Sequence, residues 1–460
     1  MSDAGLFDGV LARGRVREAV DDDLARGRVR EAVDDVAWLQ AMLDTEAALA
    51  RASAEAGLIS AADAETIAAA CGAAHYDVAQ LGEQAAASGN PAAPLVKALT
   101  RRVDGPAAGH VHSGATSQDV VDTAAMLVAH RALGPLLDDL GAAAGAAARI
   151  AAEHRATVLA GRTLLQQAVP VTLGLKAAGW LSGLDDAIAR LETVRDERLA
   201  VQLGGAAGTL ASLGDRGLDV MAGMARALGL AEPVLPWHTI RTRPAELAGA
   251  LGTACGVVAK AARDVTLLAQ TEVAEVAEGA AGASSTMPHK RNPVAAVSAA
   301  ACAAQAPGLV ATLLGAMAHE HERAAGSWHA EWRPLTELLR STGSAAAWLR
   351  TCLVDLEVDA GAMRANLAIT GGLLLAERVS TELAPELGRL EAHEAVQRAV
   401  AQATSTDGGF AAALALQPEI SGRISDARLA ELLDPAGYLG SADIFIDRAL
   451  AAHDAREASA

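Results

Sequence analysis

The residues from Gly282 to Asn292 bring hydroxyl, cationic and amide side chains together in one short segment, Gly-Ala-Ser-Ser-Thr-Met-Pro-His-Lys-Arg-Asn. The segment lies between two Ala-rich stretches with helical apolar spacing, so we expect a loop that joins two helices. Its small residues let backbone N–H groups approach a ligand. Lys290 and Arg291 supply charge for an anion, and Ser284 and Ser285 supply oxygens that can carry a proton. The segment therefore predicts a site that binds an anion and transfers a proton.

A second polar segment, residues 110–119, precedes a long stretch with helical apolar spacing. Thr116, Ser117 and Gln118 stand where that helix is expected to begin. A Ser or Thr at this place often does no more than cap the helix. A helix N-terminus also binds carboxylates through its free N–H groups and its dipole. The pair of histidines just upstream, which includes His112, favours a binding site over a simple cap.

Three further segments carry weaker signals. Residues 160–170 place an Arg, a Thr and two amides between helices, which is also the composition of a solvated turn. Residues 237–243 and 319–332 combine His, Arg and some of the scarce Trp residues. The last of these raises the question of a metal, but it lacks the His-Glu-x-x-His pattern and helical His and Glu are usually solvated. We therefore predict no metal site.

The composition favours a large helical protein. The chain has 460 residues, enough for two or three domains and a sizeable core. Hydrophobic residues make up 52% of it but aromatic residues only 2%, so the core must be built from Ala, Leu and Val, which favours close-packed helices. The formal net charge of −18 argues against a nucleic-acid-binding surface.

The cysteines and the N-terminal sequence predict a cytoplasmic protein. The four cysteines are isolated in sequence, without metal-ligand spacing, which is typical of buried thiols in a reducing compartment. The N-terminus has neither the basic nor the apolar region of a signal peptide. Residues 293–318 carry no charge, but they are rich in Ala and interrupted by Pro and Gly. We expect a helix buried on all sides inside a bundle, not a membrane span.

Apolar residues recur at helical spacing through most of the chain, and strand patterns are nearly absent. The predicted helices cover residues 36–56, 61–71, 119–152, 174–202, 244–278 and 293–320. We expect a kink or break at Gly134-Pro135 and at Pro307-Gly308. The predicted divisions are an N-terminal extension (1–23), an N-terminal helical domain (24–110), a central long-helix bundle (111–365) and a C-terminal helical domain (366–460).

The N-terminal extension contains a duplication. Residues 11–22 recur without change at residues 24–35. A period of 13 residues does not return to the same face of an α-helix, so this is a local duplication and not an architectural repeat. The second copy runs directly into the first predicted helix. We expect the second copy to occupy the native position and the first copy to be displaced and disordered.

The three regions at 112–119, 161–167 and 282–292, in this order, resemble the fumarase/aspartase superfamily. The resemblance runs from about Leu24 to the C-terminus. It implies an all-α fold of three helical domains with a central long-helix bundle, assembled as a homotetramer in which three subunits contribute to each active site. It also implies a small anionic polycarboxylate substrate and neither a metal nor an organic cofactor.

Within the superfamily, the chain is similar to the bacterial 3-carboxy-cis,cis-muconate cycloisomerases of aromatic catabolism. The segments that carry this similarity are residues 114–119, 202–209 and 328–332. Fumarases and adenylosuccinate lyases place a His after the Thr of the second region, where this chain has Leu164. An aliphatic side chain cannot transfer a proton. Adenylosuccinate lyase activity is therefore not expected, whereas the cycloisomerases also lack this His.

The resemblance implies roles for individual residues. Ser284 is the expected proton carrier, and Lys290 with backbone N–H groups stabilises its anion. Lys290 and Asn292 bind one carboxylate, and the helix start at Thr116, Ser117 and Gln118 binds another. The remaining predicted substrate contacts are His112, Thr163, Gln166, Ser285 and Met287, with Arg241, Arg323 and His329 as weaker candidates for a third carboxylate.

Two alternatives stay open at the level of sequence. A β-eliminating lyase of the same superfamily, acting on a nitrosuccinate or aminosuccinate, shares the proton-abstraction step. Leu164 is compatible with a leaving group that is already a weak base, as nitrite is. A non-catalytic paralogue is the other alternative, and the intact Ser284, Lys290 and Asn292 argue against it.

Overall fold

The computed structural model describes residues 27–279, 282–283, 287 and 289–459. Most of these residues are helical. The α-helices are α1 Val29–Ala32, α2 Asp35–Glu55, α3 Ala61–Ala70, α4 Val78–Ser88, α5 Ala92–Arg102, α6 Ser117–Glu153, α7 Leu173–Thr193, α8 Gly217–Leu228, α9 Thr242–Leu268, α10 Val294–Ala303, α11 Ala306–Gly315, α12 Ser327–Val354, α13 Ala360–Leu367, α14 Ala376–Leu387, α15 Arg389–Gln402, α16 Gly409–Ala415, α17 Asp426–Leu432 and α18 Ala442–Ser459.

The strands form short antiparallel pairs. They are β1 Val158–Thr163, β2 Gln166–Thr172, β3 Val276–Glu278, β4 Gly282–Ala283, β5 Arg291–Asn292 and β6 Leu356–Val358. Strand β1 pairs with β2, β3 with β6 and β4 with β5. The β1–β2 hairpin replaces the solvated turn that its polar composition suggested. The β4–β5 pair closes the base of the polar loop at residues 282–292.

The two predicted helix breaks have different outcomes. Helix α6 runs through Pro135 without a break, so of the two expected features only a kink stays a prediction there. Proline removes one backbone donor, and the buried neighbours Leu133, Leu136 and Leu140 supply packing that offsets this loss. The break near Pro307 is confirmed, because α10 ends at Ala303 and α11 begins at Ala306. Pro307 then lies in the first turn of α11, where a missing N–H costs little.

Two predicted helices end earlier than their apolar spacing suggested. Helix α7 ends at Thr193 and continues as a π-helical turn, Val194–Arg198, before the chain becomes extended. Helix α9 ends at Leu268, and the last residues of the predicted helix form β3 instead. In both cases apolar residues continue beyond the helix because the following segment is also partly buried. The spacing of apolar residues alone therefore does not show where the helix ends.

The chain divides into two compact units. Unit 1 contains the described residues up to Gly141, Asp186–Ala259 and Ser298–Leu349, and unit 2 contains Ala142–Asp185, Lys260–Val297 and Arg350 onward. In unit 1, α2 is buried on most of its sides, and its buried residues include Trp38, Leu39 and Met42. Unit 2 includes a separate C-terminal cluster around the fully buried Phe410. The predicted division into three helical domains stays a prediction.

The described part of the second duplicated copy is packed into unit 1. Val29 and Val33 are buried, and Arg28 pairs with Asp138 at 2.5 Å. Val29 lies so close to Gly343 that a side chain at Gly343 would collide with it. This packing agrees with the expectation that the second copy holds the native position. The first copy, residues 11–22, lies outside the described residues.

Three of the described helical stretches are long and apolar enough, by length and composition, to cross a membrane: Ser117–Glu153, Thr242–Leu268 and Val294–Gly315. The last is only 39% buried over its apolar window. Val294, Val297 and Leu314 are among its exposed residues. The expectation that this segment is buried on all sides is therefore wrong for the single chain, because one chain does not supply enough neighbouring surface to cover α10 and α11.

Candidate active site

Asp119 organises the start of α6 in unit 1. Its carboxylate accepts hydrogen bonds from the backbone N–H groups of Thr116 (2.9 Å), Gly204 (3.0 Å) and Gly205 (2.9 Å). Its Oδ1 also lies 2.6 Å from His238 Nε2. The side chain is buried, so these contacts compensate for its lost hydration. Asp119 therefore joins the helix start to the glycine-rich loop at residues 204–208.

The hydroxyl groups at this helix start are not used as caps. Asp119, in the first turn, reaches back to the N–H of Thr116, which is the second half of a capping box. Thr116 and Ser117 are half-buried, and their hydroxyls form no hydrogen bond with any residue that the structure describes. Together with the unpaired N–H groups of a helix N-terminus, these hydroxyls suit an anion.

The glycine-rich loop is held from several sides. Gly205 and Gly208 have φ values of 67° and 84°, which favour glycine. A side chain at Gly204 would approach His238 Cε1 within 2.5 Å. Arg323 donates from Nη2 to the carbonyl of Gly205 at 2.6 Å and is only half-buried. Arg323 thus lies beside the helix start and keeps part of its guanidinium accessible.

Arg241 lies inside unit 1 in a buried ion-pair network and not on a surface. Its guanidinium bonds both oxygens of Asp122, at 2.8 and 3.0 Å, and both oxygens of Glu331, at 2.5 to 3.2 Å. Trp328 Nε1 also donates to Asp122 Oδ1 at 2.9 Å. Burial lowers the pKa of Arg241, but the two carboxylates outweigh that effect and raise it. With 3% exposure and these donors engaged, Arg241 is not available to a third carboxylate of a substrate.

Gln118 belongs to the same network. Its amide Nε2 donates to Asp122 Oδ2 at 3.1 Å and to the carbonyl of His238 at 2.9 Å. The side chain is buried. The expected substrate contact by Gln118 therefore needs revision, because the buried amide links α6 to the segment that carries His238. Sequence position at a helix start did not reveal which side of the helix Gln118 would face.

His112 and His329, the two histidines predicted as substrate contacts, are both held by partners in unit 1. His112 Nδ1 lies 2.7 Å from Glu46 Oε1. His329 Nε2 lies 3.0 Å from the carbonyl of Gly89. The His329 ring also lies against Trp332, with 4.7 Å between the ring centroids. Both side chains are half-buried, and each has a second ring nitrogen without a partner among the described residues.

In unit 2, a buried carboxylate holds the part of the β1–β2 hairpin that lies next to its turn. Glu275 accepts two hydrogen bonds from Arg162, at 2.9 and 2.7 Å, and one from Asn366 Nδ2 at 2.9 Å. Gln167 Nε2 donates to the carbonyl of Asn366 at 2.8 Å. These contacts fix the strand residues next to the predicted ligands Thr163 and Gln166.

The tip of the same hairpin is exposed. Thr163 and Gln166 are exposed and form no hydrogen bond through their side chains with other described residues. The two turn residues, Leu164 and Leu165, have φ values of 50° and 64° and are 97% and 76% exposed. Such a two-residue turn favours Asn and Gly. The leucines are thus both strained and unburied in the single chain.

The polar loop is anchored at its base in unit 2. Asn292 pairs with Gly282 in the β4–β5 ladder. Arg291 donates to the carbonyl of Glu278 at 3.1 Å and lies 3.2 Å from Glu357. Lys290 and Met287 are exposed. Ser284 and Ser285 lie outside the described residues.

Four acidic residues with organising roles escaped the sequence analysis. They are Glu46, Glu275, Glu331 and Asp119, whose hydrogen bonds to the glycine-rich loop were not predicted. Only Asp119 had a local signal, since Thr-x-x-Asp resembles a capping box. The other three act on residues 66 to 113 positions away, and such pairings have no trace in local spacing. The part of the chain that the structure describes contains no cluster of three or more His, Cys, Asp or Glu that could hold a metal.

Several known proteins are similar to this chain over most of its length. A family model described as Lyase matches residues 19–308, and a model of the adenylosuccinate lyase C-terminus matches residues 372–449. The 3-carboxy-cis,cis-muconate cycloisomerase of Bradyrhizobium diazoefficiens is 48% identical over 418 residues, covering 90% of this chain and 93% of that protein. The nitrosuccinate lyase of Streptomyces davaonensis is 44% identical over 466 residues, covering 98% and 95%. The crystal structure of 3-carboxy-cis,cis-muconate lactonizing enzyme from Pseudomonas putida matches with a TM-score of 0.90 and 42% identity, covering 96% and 100%.

Proposed function

Because the chain belongs to this lyase family of the fumarase/aspartase superfamily, we propose that it is a cycloisomerase that interconverts 3-carboxy-cis,cis-muconate and 4-carboxymuconolactone. The observation that carries the proposal is the start of α6, a 37-residue helix, where the hydroxyls of Thr116 and Ser117 form no hydrogen bond with the part of the chain that the structure describes. That site fits a carboxylate. The names of the similar proteins supply the substrate class.

The reaction balances without a redox step. In the forward direction a substrate carboxylate oxygen attacks one alkene carbon, a C–O bond forms, the π bond breaks, and the adjacent carbon accepts a proton. In reverse, a base removes the proton α to a carboxylate, electrons move into an enediolate-like system, and the C–O bond breaks. Ser284 is the proposed proton carrier. Lys290 and loop N–H groups stabilise its anion, and Lys290 with Asn292 binds the carboxylate next to the reacting carbon.

Leu164 fits this chemistry. The group that departs in the reverse reaction is a carboxylate, a weak base that leaves without being protonated. A protein acid at this position is therefore unnecessary, and an aliphatic side chain does not impair the reaction. This argument also accounts for the absence of a titratable side chain at the exposed tip of the β1–β2 hairpin.

The other predicted contacts divide into ligands and positioning residues. We assign substrate contacts to Thr116, Ser117 and Arg323 in unit 1, together with the exposed Thr163 and Gln166 of unit 2. Gln118 and Arg241 are positioning residues, because their polar atoms are engaged with Asp122, Glu331 and the chain around His238. His112, Ser285, Met287 and His329 remain proposed contacts.

The proposed active form is a homotetramer in which three subunits contribute to each site. Two features support assembly: the strained, exposed Leu164–Leu165 turn and the uncovered apolar face of α10 and α11. Burial against another copy would offset both the strain and the exposure. We further propose a cytoplasmic location and a place in the protocatechuate branch of the β-ketoadipate pathway.

A nitrosuccinate lyase is the second candidate function. The similarity to the nitrosuccinate lyase extends over 98% of this chain, compared with 90% for the Bradyrhizobium cycloisomerase. The same proton abstraction would then expel nitrite, which leaves without acid assistance, so Leu164 suits both reactions. The two functions differ in what must be bound beside the reacting carbon.

A competition between substrates separates these functions. The purified protein is offered 3-carboxy-cis,cis-muconate and nitrosuccinate in parallel, with loss of diene absorbance and release of nitrite as readouts. The proposal expects kcat/KM for the muconate to be higher by at least roughly 100-fold, a margin that a site built for one substrate provides. Nitrite release without loss of the diene would replace the cycloisomerase with the lyase.

A further inference from the structure

Glu46 is a buried acid without an assigned role. It lies in the interior of α2, and its side chain is fully shielded from solvent. One carboxylate oxygen, Oε1, lies 2.7 Å from His112 Nδ1, while Oε2 has no hydrogen-bond partner among the residues that the structure describes. An isolated buried carboxylate is unfavourable unless a cation compensates for it. His112 is the residue placed to do so.

The backbone of His112 is strained in a way that serves this contact. Its φ of 61° lies in the left-handed region, which a non-glycine residue adopts at a cost. The turn is held by a hydrogen bond from the N–H of Ala115 to the carbonyl of His112 at 3.4 Å. His112 precedes Thr116, the first residue of the anion-binding helix start, by four positions. The strained turn therefore holds an imidazole beside a buried carboxylate, a few residues before the proposed carboxylate site.

The charged state of His112 follows from its surroundings. Burial lowers the pKa of His112, but the hydrogen bond and charge of Glu46, with a further contribution from Asp119 on α6, outweigh burial and raise it. The neighbouring His110 lies 3.9 Å from Asp63 on α3. Cys71 also faces Glu46, and burial together with Glu46 raises the pKa of this thiol to about 12, so Cys71 stays neutral. The charges around His112 thus favour the imidazolium.

We propose that Glu46 is a positioning residue that holds His112 as an imidazolium, so that the Nε2–H of His112 binds a carboxylate of the substrate. This inference rests on the proposed function and deepens it. With Nδ1–H directed at Glu46, a neutral ring would present a lone pair from Nε2 and repel a carboxylate. Protonation turns Nε2 into a donor and makes the same position attractive. Substrate affinity is therefore coupled to the protonation of His112.

The sign of the pH effect follows from the raised pKa. The imidazolium is present below the pKa of His112, so substrate binding is strong there and weakens as the pH rises through that value. Glu46→Gln removes the carboxylate and lowers the pKa of His112. In this variant the loss of binding begins at a lower pH, and the difference from the wild type is greatest near neutral to mildly alkaline pH.

The test compares four forms of the full-length protein: wild type, Glu46→Gln, His112→Gln and the double variant. Glu65→Gln, which removes an exposed partner of Arg51, is the matched control. The expected result for Glu46→Gln is a KM for the muconate raised roughly tenfold at about pH 7.5 and less than roughly threefold at about pH 6, with kcat little changed. His112→Gln should raise KM at both pH values, and adding Glu46→Gln to it should raise KM no further.

A measurement without substrate keeps the inference separate from the proposed function. Histidine labelled with ¹³C at Cε1 is titrated by NMR, with the signal of His112 assigned by its loss in His112→Gln. Glu46→Gln should move that titration to lower pH, and Glu65→Gln should leave it in place. An unmoved titration, or a KM raised by the same factor at both pH values, would overturn the inference. A wild type that does not convert the muconate would overturn the proposed function alone, and the titration would still decide the role of Glu46.

Discussion

The start of α6 and the tip of the β1–β2 hairpin are both predicted to contact the substrate, but they differ in burial and in hydrogen bonding. At the start of α6, Asp119 has four hydrogen-bond contacts from within the same unit, and the hydroxyls of Thr116 and Ser117 form no hydrogen bond with the described residues. At the hairpin tip, Leu164 and Leu165 are strained and exposed. The buried carboxylate of the first region is satisfied within one unit, whereas the second region has the features of a surface that another molecule covers.

The first region is therefore suited to a small ligand, and the second to another protein surface. A region whose backbone and buried charges are satisfied internally can be preorganised for a small ligand. A region that leaves apolar, strained residues in solvent gains stability only when another surface covers them. We therefore expect substitutions in the first region to reduce the stability of the fold or the affinity for substrate. Substitutions in the second region should instead weaken the assembly of the oligomer.

The largest effect is expected from breaking the buried network of the first region. Arg241→Gln leaves the carboxylates of Asp122 and Glu331 buried without their cation, which should destabilise folding by about 3–5 kcal/mol. Thermal unfolding followed by circular dichroism measures the change. Arg226→Gln, which removes an exposed partner of Glu55, is the control and should cost less than about 1 kcal/mol. Similar melting temperatures for the two variants would show that the network does not stabilise the fold.

The second prediction concerns the hairpin tip. Replacing Leu164 and Leu165 with Asn and Gly supplies the residues that such a turn prefers, so the local turn should become less strained. Assembly should nevertheless weaken, because the apolar contact is lost. Light scattering after size exclusion should show a smaller oligomer, and turnover should fall by roughly 100-fold because the shared site is no longer assembled.

The control for this double variant is Leu390→Asn, another exposed leucine that lies on α15. It should remain tetrameric and active. A double variant that is fully assembled and active would contradict the role proposed for the hairpin tip, and it would remove one of the two structural supports for the tetramer.

The smallest effect is expected at the helix start itself. Thr116→Val keeps the shape of the side chain and removes the unbonded hydroxyl, so KM should rise roughly tenfold while the melting temperature changes little. Thr312→Val, whose hydroxyl bonds the carbonyl of Gly308 on α11, is a control that should leave KM unchanged. Unchanged KM in Thr116→Val would show that this hydroxyl does not contact the substrate.

The sequence predicted the helical frame well because apolar period is a local property. Helix α2 begins and ends within about one residue of its prediction, and the fold of the fumarase/aspartase superfamily is confirmed by the solved structures that match. The β1–β2 hairpin was missed because its turn is Leu164-Leu165, which carries none of the Asn-Gly signal that marks such turns. Apolar residues in a strained turn are visible only in three dimensions.

The candidate site was predictable in its residue types and less so in its roles. Thr116 and Ser117 were identified from their place at a helix start, and their hydroxyls form no hydrogen bond within the described ranges of the chain. Gln118 and Arg241 carry equally suggestive side chains, but both are buried among carboxylates contributed by distant parts of the chain. Whether a polar side chain faces a ligand or a buried partner depends on such long-range contacts, which spacing along the sequence does not encode.

We propose that this protein cyclises a carboxylated muconate and that Ser284 transfers the proton. The most direct test follows the ultraviolet absorbance of 3-carboxy-cis,cis-muconate with the wild type, Ser284→Ala and, as control, Ser405→Ala. We expect rapid loss of the diene absorbance with the wild type and with the control. In Ser284→Ala the rate of loss should be lower by roughly 1,000-fold, at unchanged oligomeric state. Equal rates in all three forms would remove Ser284 from the mechanism, and a folded tetramer without any loss of absorbance would contradict the cycloisomerase assignment.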